Sequence, residues 1–108
     1  MVLAAERAQT RDRIAALTRD FDVIVAASAD SATDDEHDPE GSTIAFERAQ
    51  VSALLTAARA HLAEIDRAAE RLRDRAFGAC ERCGQPIADE RLLARPTARR
   101  CVTCASAR

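Results

Sequence analysis

Residues 44–76, IAFERAQVSALLTAARAHLAEIDRAAERLRDRA, carry the clearest period in the chain. Ile44, Val51, Ala58, Ile65 and Leu72 recur every seven residues, and Arg48, Leu55, Leu62, Ala69 and Ala76 follow each of them by four. Alternating steps of four and three mark a coiled-coil seam, because 3.5 residues per turn keep the stripe on one face. No Gly or Pro interrupts the run before Gly78, where a C-terminal glycine cap is expected. At 1.5 Å per residue such a helix spans roughly 50 Å. Arg48 is the one charge on the seam, and its long stem lets the guanidinium reach water near the turn.

Upstream, residues 3–29 also lack Gly and Pro and repeat the seam more weakly. Ile14, Leu17, Phe21 and Ile24 alternate by three and four, with Leu3 and Thr10 before them and Ser28 after. Between the two runs the character changes. Asp30, Asp34, Asp35, Glu36, Asp38 and Glu40 supply six acids with no base, and Pro39 and Gly41 break the helical pattern. Two helices of similar length joined by a short turn pack antiparallel. The sequence therefore predicts an all-α fold, a coiled-coil hairpin over residues 1–77, with helices at about 3–29 and 44–77 and an acidic turn at 30–43.

Composition limits how that hairpin is held. Of the 108 residues, 47% are hydrophobic and about half of those are alanine, while aromatics make up 3% with no Trp or Tyr. A thick globular core is excluded, since it needs large side chains. Alanines on the seam instead allow the helix backbones to approach closely.

The formal net charge of −2 argues against a protein that works by neutralising phosphates, so no direct specific DNA binding is expected. No apolar run reaches the ~20 residues of a membrane span. The stretch Met1 to Arg13 is charged from Glu6 onward and does not read as a signal peptide, which predicts a cytoplasmic protein. In a reducing compartment paired cysteines are metal ligands more often than disulfides.

Such pairs are present. Cys80-x2-Cys83, seventeen residues, then Cys101-x2-Cys104 is a four-thiolate zinc pattern over residues 78–108, with an iron–sulfur centre or a redox-active pair as alternatives. Gly84 follows the second ligand, where the knuckle calls for positive φ. Pro86 and Pro96 break the intervening segment, which predicts a small ribbon or short turns. Four cysteines saturate tetrahedral zinc and leave no position for substrate, so one structural Zn2+ per chain is expected, without catalysis. The zinc–thiolate centre carries −2, and Arg82, Arg99 and Arg100 are near in sequence to offset it. Residues 66–100 hold nine Arg against six acids, so the expected hairpin is acidic at its turn and basic at its base. His37 and His61 have no partner pattern and read as solvated.

The segment Phe77-Gly78-Ala79-Cys80-Glu81-Arg82-Cys83-Gly84, with Pro86-Ile87, Arg91-Leu92, Ala94-Arg95-Pro96-Thr97-Ala98 and Cys101-x2-Cys104, resembles the C4 zinc finger of the DksA/TraR family of bacterial transcription regulators. The preceding hairpin is similar to the family's architecture. The resemblance implies a non-enzymatic regulator that binds RNA polymerase and inserts its coiled coil into the secondary channel, with an acidic tip near the catalytic magnesium. The implied tip residues are Asp34, Asp35, Glu36, Asp38 and Glu40, and the implied state is a monomer. The family tip reads Asp-x-x-Asp-x-Ala. Here one register gives Asp38-x-x-Gly41-x-Thr43 and another Asp35-x-x-Asp38-x-Glu40. Four residues follow Cys104, where larger members carry a further helix, which predicts fewer contacts at the channel rim. No residue carries over as a guanosine tetraphosphate ligand. The rival reading is a zinc-ribbon adaptor whose hairpin binds a different protein.

Overall fold

A computed structural model describes the backbone of residues 2–30 and 39–107. Four helices occur among them: α1 (Val2–Asp30), α2 (Pro39–Arg73), α3 (Asp89–Ala94) and α4 (Val102–Ser106). No strand is present among the described residues; an isolated antiparallel bridge joins Ala79 and Pro86.

The long helices follow the seam, with corrections at the boundaries. α2 begins at Pro39 rather than near 44. Proline is well placed at the first helical position, where its fixed φ suits the helix and its missing N–H has no intrahelical role. The helix also ends at Arg73, before the expected residue 77. The cap is not Gly78. The Arg75 N–H donates to the Leu72 carbonyl at 3.2 Å and the Ala76 N–H to the Arg71 carbonyl at 2.7 Å, with Arg75 at φ 59°. That pair of bonds around one left-handed residue is a Schellman motif, built here on an arginine. Gly78, at φ 87°, serves the next segment instead. A further difference is α3, six residues of helix inside a stretch that Pro86 and Pro96 had suggested would be turns.

The chain groups into two compact units: Thr10–Ala60, called here the central unit, and Met1–Gln9 with His61–Arg108, the terminal unit. In the central unit Leu17, Leu55 and Ala58 form a buried cluster, flanked by Ile14, Phe21 and Val51. Farther along α1, Val23 and Ile24 line a groove together with Glu47, Gln50 and Val51. Partner numbers fall as α1 advances, which makes the pair antiparallel. Arg48 is exposed, as its stem length predicts.

In the terminal unit Leu3, Ile65 and Ala68 form a second cluster under Phe77. Here the seam leaves its heptad. Ala68 is 0% exposed whereas Leu72 is 38% exposed. An α-helix of 3.6 residues per turn drifts about 20° per heptad from a strict seven-residue repeat. Phe77, which follows the helix, packs against the Leu3–Ile65–Ala68 cluster. Two polar pairs tie α1 to α2 beside this cluster: Arg7 Nε to Asp66 Oδ1 at 3.0 Å, and His61 Nε2 with Glu6 Oε1 at 2.9 Å. His61 is therefore half-buried and partnered, a correction to its reading as a solvated side chain.

Candidate metal centre

The first cysteine pair sits on a knuckle built by backbone bonds. The Cys80 N–H donates to the Gln85 carbonyl at 2.8 Å, the Gly84 N–H to the Cys80 carbonyl at 2.9 Å, and the Ile87 N–H to the Gly78 carbonyl at 2.7 Å. Gly84 closes the turn at φ 76°, with nothing within 4 Å of where a Cβ would stand. Conformation alone, not crowding, makes glycine the fitting residue there. The second pair opens α4: Cys101 is its N-cap and Cys104 lies in its first turn. The Glu81 N–H donates to the Arg99 carbonyl at 2.9 Å and binds the two knuckles together.

All four Sγ atoms lie within 4.8 Å of one another, and those of Cys83 and Cys101 are 3.8 Å apart. Sulfurs about 2.3 Å from a tetrahedral zinc would stand about 3.8 Å apart, so the donor set fits one ion. A disulfide would need about 2.05 Å, and all four cysteines are free. Cys80 and Cys104 are buried with Ile87, while Leu92 and Cys101 pack against them half-buried. Cys83 is exposed.

The electrostatics of the four thiols differ. Backbone N–H groups of Cys83 and then Cys101 draw the Cys80 thiol down to about 6, against the opposing effect of burial. Hydrogen bonding with Cys101, then burial, then Cys80 and Cys83, pushes Cys104 up to about 12. Hydrogen bonds to neighbouring sulfurs and burial hold the Cys104 proton until a cation replaces it. Zinc supplies that cation, and with it a folding constraint.

Arginines frame the centre. Arg91 Nε donates to the Arg100 carbonyl at 2.9 Å and Arg71 to the Thr97 carbonyl at 3.4 Å, pinning the approach to Cys101. Arg100 reaches Glu81 at 3.4 Å and Arg99 reaches Glu64 at 3.8 Å. Two of the three arginines expected to offset the thiolates are thus engaged with carboxylates, and Arg82 is exposed. Arg71 and Arg91 were not identifiable beforehand, because their partners are backbone carbonyls brought near by folding.

Residues 75–108 match the family model described as the prokaryotic dksA/traR C4-type zinc finger. The chain carries a DksA/TraR zinc finger. Over 46 residues it is 48% identical to an uncharacterized protein of Aquifex aeolicus (strain VF5), covering 43% of this chain and 32% of that protein. The match therefore spans about a third of the length of that relative. The structure of transcription factor DksA2 from Pseudomonas aeruginosa superposes with a TM-score of 0.81 at 27% identity, covering 95% of this chain and 74% of that one. The likeness thus extends beyond the finger to the helical hairpin. Cys80, Cys83, Cys101 and Cys104 are positioned to bind one metal ion, and the family model they match is a zinc finger.

Of the expected tip residues, Asp34, Asp35, Glu36 and Asp38 lie outside the described residues. Glu40 falls in the first turn of α2, with its side chain outside the described atoms. No helix among the described residues is long and apolar enough to cross a membrane.

Proposed function

We propose that this protein is a non-enzymatic transcription regulator that binds RNA polymerase as a cytoplasmic monomer. The observation that carries the reading is the likeness to the transcription factor DksA2, which covers 95% of this chain and includes the hairpin as well as the finger. A four-cysteine site supports it from chemistry: thiolates fill every position on zinc, leaving none for a substrate or an activated water. In this reading the finger gives a rigid base, and the acids of residues 30–40 enter the secondary channel, where carboxylates are attracted to a basic pore and bound metal.

The test has two stages. Core RNA polymerase should be captured from a bacterial lysate by the zinc-loaded chain, and another secondary-channel factor should displace it. Asp38→Asn should then keep zinc content, melting temperature and polymerase binding while weakening the effect on transcription initiation. Asn caps a helix about as well as Asp, so the change removes charge and little else. The matching control is Asp22→Asn on the exposed face of α1. Asp66 is unsuitable, because it pairs with Arg7. An Asp38→Asn protein with wild-type effect on transcription would remove the tip from the mechanism, and failure to capture polymerase would favour the adaptor reading.

A further inference from the structure

Within the terminal unit, Val2, Leu3, Phe77, Leu92, Leu93 and Pro96 line a groove of about 380 Å³ in which Asp89 is the one polar residue. Leu3 is buried, Phe77, Leu92 and Pro96 are half-buried, and Val2 and Leu93 stand 51% and 70% exposed. Floor and rim are thus both apolar. Leu3 packs with Ile65 and Ala68, and Leu92 packs against the cluster of Cys80, Ile87 and Cys104, which holds the floor in place. Asp89 has no ion pair or side-chain hydrogen bond among the described residues, and no cation lines the groove. An acid in the first turn suits the dipole of α3, but Glu90 holds the same turn without lining the groove.

We infer that this groove is a binding site for a small amphiphilic amine, an aliphatic body carrying one ammonium group. Its volume falls in the range of small-ligand sites, roughly 300–1,000 Å³, and apolar walls with one placed polar group are their usual make-up. A standard protein interface takes about 20–30 residues from each side, far more than line this groove. Asp89 selects the sign of the charge: an ammonium finds a partner there, an alcohol gains little and a carboxylate is repelled. Phe77 favours the same sign, because the face of an aromatic ring is negative.

The inference goes beyond polymerase binding and is tested apart from it. The zinc-loaded full chain is titrated separately with hexylammonium, hexanol and hexanoate while methyl resonances are followed by NMR. Saturable shifts are expected at Leu3, Leu92 and Leu93. Hexylammonium should saturate them at about threefold lower concentration than hexanol, the size of an exposed ion pair, and hexanoate should bind weakest. Butylammonium should bind about tenfold more weakly than hexylammonium, because two methylenes fewer are buried. Asp89→Asn should bring hexylammonium to the affinity of hexanol and leave hexanol and zinc content unchanged. Leu93→Ala should weaken all three probes roughly threefold. No saturable shift, a flat chain-length series, hexanoate binding as well as hexylammonium, or an Asp89→Asn protein that binds as the wild type does would each overturn the proposal. So would equal saturation at Val23 and Ile24, since the groove they line with Asp20 and Glu47 would then serve as well as this one. If the amine binds while polymerase capture fails, the proposed function falls and this site stands.

Discussion

The two compact units of this chain are ordered by different forces. In the central unit the buried apolar side chains are Leu17, Leu55 and Ala58, with Thr10 the one buried polar residue among those described, and large apolar groups such as Phe46 and Val23 remain largely exposed. Its order rests on one thin seam repeated along two helices. The terminal unit combines the Leu3–Ile65–Ala68 cluster, two cross-helix polar pairs and four convergent thiols. There a metal supplies what apolar area cannot, because a finger of about thirty residues with Ile87 as its one large buried aliphatic is too small to fold on burial alone.

The contrast can be broken most severely by removing zinc. Structural zinc contributes on the order of 10 kcal/mol to folding in such modules. Chelation, or Cys104→Ser, should melt the segment from Gly78 onward while circular dichroism retains most of the helical signal of α1 and α2. A chelated protein that kept the Ile87 and Leu92 resonances dispersed would show the finger standing without its metal.

Acid should act on the same side of the comparison. Zinc binds thiolates and displaces protons, so affinity falls as pH falls. Below the Cys80 value of about 6, zinc must displace the Cys80 proton; above it Cys80 arrives ionised and contributes none. Calorimetry in buffers of different ionisation enthalpy should read fewer protons released per zinc at pH 7.5 than at pH 5.5. A release that does not change across this interval would mean the backbone N–H groups do not hold the Cys80 thiolate. Among the described residues the central unit has no such site, and its helicity should not follow zinc occupancy.

The converse perturbation is Leu55→Ala. It should cost about 2–4 kcal/mol in denaturant unfolding, the range for truncating a buried leucine, and leave zinc content at one per chain. Loss of zinc in this variant would make the two units one cooperative structure.

The smallest effect sharpens the boundary between helix and finger. Arg75 occupies a left-handed conformation that costs a non-glycine residue about 1 kcal/mol. Arg75→Gly should therefore raise stability by up to that amount, and Gly78→Ala should lower it, because Gly78 is also left-handed. The opposite order in thermal melts would show that Arg75 earns its place through a contact rather than tolerating strain.

Much of this was legible in the residue order. Seven-residue spacing determined which α1 positions are buried: Leu3, Thr10 and Leu17 all are. Cys-x2-Cys spacing determined which sulfurs converge, since two intervening residues form a knuckle by local geometry alone. Such features depend on neighbours in sequence, and a linear reading can find them.

Tertiary structure decided the rest. The Schellman cap falls on Arg75, three residues before the glycine that composition favours, because backbone hydrogen bonds and the return of Phe77 set where α2 stops. His61 and Asp66 gained partners 55 and 59 residues away, and Arg71 and Arg91 found carbonyls 26 and 9 residues on. The shift from the heptad at Ala68 goes with a cluster that Leu3 of α1 and Phe77 beyond α2 complete. The Arg99–Glu64 pair has the same origin: its guanidinium comes from the approach to Cys101 and its acid from α2. Periodicity reports which face a residue occupies, whereas the identity of what it meets there depends on how distant segments are brought together.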